Sequence, residues 1–327
     1  MKKVFFYIFI IFATITSCKK DFSDEFTPYQ GMSFNDTTWT NEPISNDLID
    51  SLQVQLGLPM AYYTTFNPTR DTAFWLNNDI QLKIPAYTSA YMSNTANPVT
   101  DPVYLRLITL KERGDFIRYL ISTTFNQYPL VCAADFYVSF TSNNQPIAIA
   151  PAKPITIQWM DDDVNNAMQF YSGSSNTGGQ YKVNWQQDNN GSVTRWDTLV
   201  NGMHKTGYRI QSPHLQWMGA NYLMDTTQAT TNLNVVLPLN FNNKNTIAFA
   251  VFNNVKSVIR LTPSAIEKGF YTTHLPTNAN ITIVSISLIN NSFYLGTNTL
   301  FGLSAGLQKL YPKKISVQSL NVFLNSL

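Results

Sequence analysis

Val103-Tyr104-Leu105-Arg106-Leu107-Ile108-Thr109-Leu110 is the stretch that decides the fold class. Apolar and polar residues alternate along most of it, the period of a strand that buries one face. Ile80-Gln81-Leu82-Lys83-Ile84 has the same pattern, and short apolar runs follow at 136–140, 147–149 and 155–159. Turn-forming clusters at 94–98, 143–144 and 151–154 punctuate them. The second half repeats the style at 181–186, 234–237, 246–252, 257–261 and 280–289, with loops at 173–179 and 188–191. A brief helical turn is expected around 264–268, and a closing strand and tail over 313–327. Many short strands without intervening helices predict an all-β fold of two antiparallel sandwich-like domains. The triplet Asp161-Asp162-Asp163 reads as their boundary, with a first sandwich over 71–160 and a second β-rich domain over 161–327. Ahead of them, Asn46-Asp47-Leu48-Ile49-Asp50-Ser51-Leu52 reads as a short helix capped by Asn46 and stopped by Gly57 and Pro59.

The N-terminus carries a different signal. Lys2 and Lys3 precede a nearly unbroken apolar run from residue 4 to 13, and small residues lead into Ile15-Thr16-Ser17-Cys18. A positive patch, a short apolar core and a cysteine after small residues make a secretory signal of the lipoprotein type. Cleavage before Cys18 frees an amino group, which takes acyl chains together with the thiol. The apolar run is too short to span a bilayer comfortably. Residues 1–17 are therefore expected to be a signal peptide, and 18–70 a lipid anchor, a tether and a short N-terminal segment. The membrane is a partner through these chains, each buried CH₂ contributing about 0.8 kcal/mol. The expected location is the cell envelope, anchored to the outer membrane on its periplasmic or surface-exposed face.

The 327-residue chain holds 22 Lys and Arg against 20 Asp and Glu, and loss of Lys2 and Lys3 with the signal leaves it neutral. A neutral chain with 13% charged residues has no electrostatic footprint for nucleic acid. Cys18 and Cys132 are the two cysteines. Within Leu130-Val131-Cys132-Ala133-Ala134 the second reads as a buried, inert thiol, without a disulfide partner once Cys18 is acylated.

Signatures of chemistry are missing. His204, His214 and His274 fall in no zinc spacing, there is no nucleophile elbow or phosphate loop, and no cofactor is expected. Gly173-Ser174-Ser175-Asn176-Thr177-Gly178-Gly179 has no helix after it to present to phosphate, and reads as a hairpin tip. His204 and His214 can meet across a hairpin, although loop or sheet-face positions are the stronger reading. Asp161, Asp162 and Asp163 are the candidate ligands for a hard cation such as calcium. Alternate side chains of an extended segment point opposite ways, so a solvated turn is the stronger reading there too. Tyr181, Trp185, Trp196 and Trp217 crowd one stretch, with Asp188 and Asp197 flanking Trp196. They are candidates to stack on a sugar or a partner if exposed, and core residues of a sandwich otherwise.

Residues 79–159 resemble the ZU5-like β-sandwiches of bacterial surface proteins. The matching pieces are Ile80 to Ile84 running into Pro85-Ala86, the turn Asn97-Pro98-Val99-Thr100, and the long strand from Val103. Gly114-Asp115-Phe116-Ile117, Thr123-Thr124 and Phe136-Tyr137-Val138 follow in the same order. Asp101-Pro102 stands where the family turn has glycine, and the His-Phe-Ser self-cleavage triplet is missing. The second half is similar to an uncharacterised lipoprotein family of the Bacteroidetes, through Val183-Asn184-Trp185, Leu215-Gln216-Trp217, Leu237-Pro238-Leu239 and Leu275-Pro276. These likenesses imply a fold and a compartment and carry no catalytic residue. Four Asp-Thr pairs resemble the O-glycosylation acceptors of that phylum, which makes Thr37, Thr72, Thr198 and Thr226 candidate acceptors; Asp-Thr also suits plain turns. The expected function is a non-enzymatic binding or scaffold module, with a glycan or an outer-membrane protein as partner. The alternative is an accessory subunit of an outer-membrane import or secretion complex, and an envelope glycan- or peptide-acting enzyme comes third.

Overall fold

A computed structural model describes residues 39–40, 44, 46–58, 61–76, 79–91, 94–150, 153–175, 183–200, 203–303 and 306–327. The chain is all-β, as its alternation predicts. Val103–Leu110 forms as one strand, with Val103, Leu105 and Leu107 buried on one face and Tyr104 exposed on the other. It pairs antiparallel with Tyr62–Phe66 on one side and with the 15-residue strand Tyr128–Ser142 on the other. That long strand is the spine of a ten-stranded sheet. Gln145–Ile149 folds back on its end, and Gln216–Leu223, Gln169–Ser175 and Val183–Gln187 extend the sheet outward.

A five-stranded sheet faces it, in the order Ser192–Val200, Met203–Ser212, Ile155–Met160, Ile80–Ile84, Thr72–Leu76. Inward residues of the two sheets share one core, which joins Leu82, Ile157, Trp159 and Ile210 to Leu105, Phe136 and Val138. The Phe136 and Trp159 rings lie 5.1 Å apart and tilted. Burying a side chain of this kind contributes about 1.5–3 kcal/mol.

A second sandwich follows. Its four-stranded sheet runs Thr262–Ser264, Gly269–Pro276, Thr230–Val236, Gly306–Lys309, and the last pair is parallel. Its five-stranded sheet runs Val258–Arg260, Thr246–Phe252, Asn280–Ile289, Ser292–Phe301, Lys313–Ile315. Thr246–Phe252 is buried at all seven positions because both of its faces are covered. Ala248 and Ala250 serve the second sandwich, while Ile247, Phe249 and Val251 enter a third core with Ile108 and Leu110 of the long sheet. Helices α1 (Asn46–Leu56), α2 (Arg113–Arg118) and α3 (Val317–Asn325) fill this middle layer with Leu52, Leu56, Phe116, Leu320 and Leu324.

The middle layer corrects three expectations. The division at residue 160 fails: Met203–Ser212 pairs with Ile155–Met160, and Gln169–Ser175 and Gln216–Leu223 complete the ten-stranded sheet. The first sandwich therefore runs from Tyr62 to Leu223, and residues 161–163 connect its two sheets rather than two domains. Residues 46–66, read as part of the leading segment to 70, supply a core helix and a strand. The expected tail is α3. Ser316 caps it by accepting the Ser319 N–H at 3.1 Å, and Leu320 and Leu324, one turn apart, share its buried face. α2 and α3 touch closely: a Cβ on Gly114 would stand 2.0 Å from the Leu324 carbonyl oxygen. Arg113 donates to the carbonyls of Phe252, Asn253 and Leu327, which ties the helices to the second sandwich.

Candidate functional site

Cys18, Thr37 and Tyr181 lie outside the described residues. Two of the other candidate binding aromatics are turned inward. Trp185 and Trp217 are 3% and 2% exposed, and their rings meet edge to face at 6.4 Å in the middle layer. The Trp185 indole N–H donates to the Ser122 carbonyl at 3.0 Å, so no binding face remains. The segment that follows residues 113–118 covers both, with Tyr119 edge-on to Trp217 at 6.5 Å and the Ser122 carbonyl on Trp185, and a local pattern does not report such a cover. Trp196 is half-buried over Gly207, where a Cβ would meet its ring at 2.8 Å, and its N–H is shared between the carbonyls of Trp159 and Tyr208. These aromatics form no stacking ladder.

Asp161, Asp162 and Asp163 do not converge. The Asp161 carboxylate accepts the Asp163 N–H at 3.1 Å, which is turn chemistry. Among the described residues no group of three or more His, Cys, Asp or Glu is placed to hold a metal ion. The Asp225 carboxylate likewise accepts the N–H and hydroxyl of Thr227, leaving Thr226 exposed at the turn. Thr198 is exposed on a strand, and Thr72 is half-buried.

His204 and His214 stand at opposite ends of the Met203–Ser212 strand region and do not meet. His204 pairs with Asp197 across the hairpin at 3.2 Å, both well exposed. His214 is the more built of the two. Its Nε2 lies 3.1 Å from Asp188 Oδ2, on a carboxylate whose side chain is only 13% exposed. The other oxygen, Oδ1, accepts both the backbone N–H and the side-chain amide of Asn190 at 2.9 Å. Ser212 fixes the histidine backbone, accepting the His214 N–H and donating to its carbonyl. Gln216 then sits at φ 76°, a left-handed conformation that costs a side-chain-bearing residue about 1–3 kcal/mol. Such strain persists only where the surroundings over-determine it.

Asp188, His214 and Gln216 line an open cleft of about 440 Å³ with Ser172, Ser174, Leu215 and Trp217. Burial works to raise the Asp188 pKa. The Asn190 N–H, the His214 ring and the Ser172 hydroxyl outweigh it and hold the carboxyl below its ordinary value. Asp188 is thus an ionised acceptor already supplied with donors. A hydrolytic triad needs the imidazole nitrogen opposite the carboxylate to face a nucleophile. Here Ser172 bonds the same carboxylate, and among the described residues no hydroxyl hydrogen-bonds the His214 ring.

A second constellation is fully buried. Asp135 lies on the spine strand facing the middle layer, at 0% exposure. Its Oδ1 accepts the Asn221 amide at 2.9 Å, while its Oδ2 and the Asn221 carbonyl oxygen have no partner. Desolvation pushes the carboxyl up to about 8, against the pull of the Asn221 bond. At neutral pH the group is largely a neutral acid, which spares the core an unpaired buried charge. Gly219 makes the room: a Cβ there would stand 1.8 Å from Asp135 Oδ1. Cys132 is near, and burial followed by the Asp135 charge drives its thiol well above its usual range, so it is no nucleophile. No spacing rule links residues 132, 135, 219 and 221. A β-bulge at Ala220/Asn221 brings them together.

Compared with known proteins, the chain matches no family model, no curated protein and no solved structure.

Proposed function

We propose that this chain is an acyl-anchored lipoprotein of the cell envelope whose two sandwiches act as a non-enzymatic binding or scaffold module. The anchor rests on Lys2, Lys3, the apolar run and Cys18. The observation that carries the binding reading is the closed polar circuit of the cleft. Asp188 takes His214, Asn190 and Ser172 together, and among the described residues no hydroxyl hydrogen-bonds the His214 ring. Among the described residues no helix is long and apolar enough to cross a membrane, which says nothing of strands. The likeness to ZU5-like sandwiches and Bacteroidetes lipoproteins belongs to this proposal, as do placement on the outer membrane and glycosylation at Thr37, Thr72, Thr198 or Thr226.

An accessory role in an outer-membrane complex has one feature in its favour. Tyr271 and Leu307 are exposed on neighbouring rows of the four-stranded sheet, either side of Asn234. Two exposed apolar side chains flanking an asparagine on a sheet face suit a protein partner.

Mass spectrometry of the N-terminal peptide from membranes tests the anchor. The proposal expects a peptide beginning at an acylated Cys18, and release of Cys18→Ala into the soluble fraction. A mature chain that starts elsewhere, or an unmodified Cys18, overturns it. Stoichiometric co-purification of one membrane protein with the acylated form selects the accessory role over the free-standing module.

A further inference from the structure

The outer face of the long sheet emerges from under the helices at one edge, and there it carries a different set of residues. Register places Tyr63 directly opposite Arg106, and Thr65 opposite Tyr104. On the other side Arg106 faces Ser139 and Tyr104 faces Thr141, with Tyr137 two residues along. Cross-strand partners and alternate residues share a face, so all seven side chains project together. Tyr63 and Tyr104 are 67% and 59% exposed. The Arg106 guanidinium carbon lies 6.0 Å from the Tyr63 ring centre and 5.6 Å from that of Tyr137, a cation held between two aromatic faces.

Among the described residues Arg106 has no ion-pair partner. Its Nε is buried without a hydrogen-bond partner. A guanidinium offers five donors in a planar fork and matches a carboxylate with two parallel bonds. The exposed Tyr63 and Tyr104 rings are stacking surfaces, Tyr137 backs the guanidinium from its place against Trp217 at 5.2 Å, and Thr65, Ser139 and Thr141 add hydroxyls to the face. They stand on an open sheet face, with strands about 4.8 Å apart, which favours a flat ligand over an inserted side chain.

We infer that this Tyr63–Tyr104–Arg106–Tyr137 face binds a carboxylate-bearing sugar, a uronic acid unit of an acidic glycan. A pyranose ring lays its C–H face on a tyrosine, its carboxylate reaches the guanidinium fork, and its hydroxyls meet the rim. The inference rests on the binding reading above and is independent of the anchor at Cys18.

The test is calorimetric titration of the full chain with oligomers of galacturonate, glucuronate and mannuronate, alongside the methyl-esterified galacturonate oligomer. At least one acidic oligomer is expected to bind saturably. Its ester, which keeps the ring and loses the charge, should bind at least tenfold more weakly. Arg106→Gln should cost tenfold or more, and Arg106→Lys less. Tyr63→Ala and Tyr104→Ala, at exposed positions that leave the core intact, should each cost severalfold with unchanged circular dichroism. Binding that is indifferent to esterification or to these variants overturns the inference. So does failure of the folded chain to bind any acidic oligomer, or binding of a polyglutamate peptide alone through Arg106. In those cases a neutral-glycan or protein ligand found elsewhere on the chain leaves the binding reading standing, whereas turnover of any oligomer removes that reading as well.

Discussion

Asp135 and Asp188 belong to one sandwich and to opposite regimes. Asp135 is fully buried with one amide for company, and burial drives its carboxyl up to about 8. Asp188 sits at the rim of a cleft with Asn190, His214 and Ser172 around it, and stays below the ordinary carboxylate value despite partial burial. The residue type is the same. The number of donors supplied to the charged form decides whether the group is a neutral core acid or a fixed anion. Arg106 completes the series as a cation with aromatic neighbours and, among the described residues, no ion-pair partner.

Gly219→Ala should break the comparison most severely. The new methyl collides with Asp135 Oδ1 and with the Asn221 amide, 2.6 Å away, in a core that has no room to yield. We expect a loss of about 3 kcal/mol or more in urea unfolding. Asp135→Asn should act through pH. With its folded pKa raised, the wild-type group holds a proton in the native state that the unfolded chain gives up, so its contribution to stability is full below about pH 4. It is lost as pH rises to about 8, at about 1 kcal/mol per pH unit. The asparagine variant should lack that slope and should gain on the wild type toward pH 8 in parallel melts.

Asp188→Asn should show the opposite sign and a smaller size. A depressed carboxyl stabilises above its unfolded pKa, and the benefit fades as pH falls below about 4. Because His214 is nearly half exposed, solvent screening should keep the loss under about 1 kcal/mol at neutral pH, and it should vanish in acid. Asp197→Asn should do least, within about 0.5 kcal/mol, since both members of the His204 pair are open to water.

The strands were legible where one face is wet. Ile80–Ile84 and Val103–Leu110 alternate in burial as in sequence. Thr246–Phe252 was legible as an apolar run, though its two-sided burial depends on the helix layer. The division at residues 161–163 misled because pairing in this sheet is long range: Ile157 meets Leu82 on one side and Ile210 on the other. Composition cannot mark a boundary that strand order crosses. α3 was missed because Leu320 and Leu324 look like any apolar tail until Ser316 caps the turn before them. The site was less legible than the fold. Trp185 and Trp217 stood out as aromatics, yet covered faces are set by what packs over them. Arg106 was merely the polar beat of a strand pattern, and its aromatic neighbours come from two other strands.

The direct measurement is a carboxyl carbon-13 NMR titration of the folded chain from pH 2 to pH 9, with Asp135→Asn and Asp188→Asn to assign the two signals. The account predicts Asp135 titrating near 8 and Asp188 below the usual aspartate range. A common midpoint near 4 would contradict it. An Asp188 that titrates near neutrality would also free the cleft for acid–base chemistry and remove the ground for a non-enzymatic module.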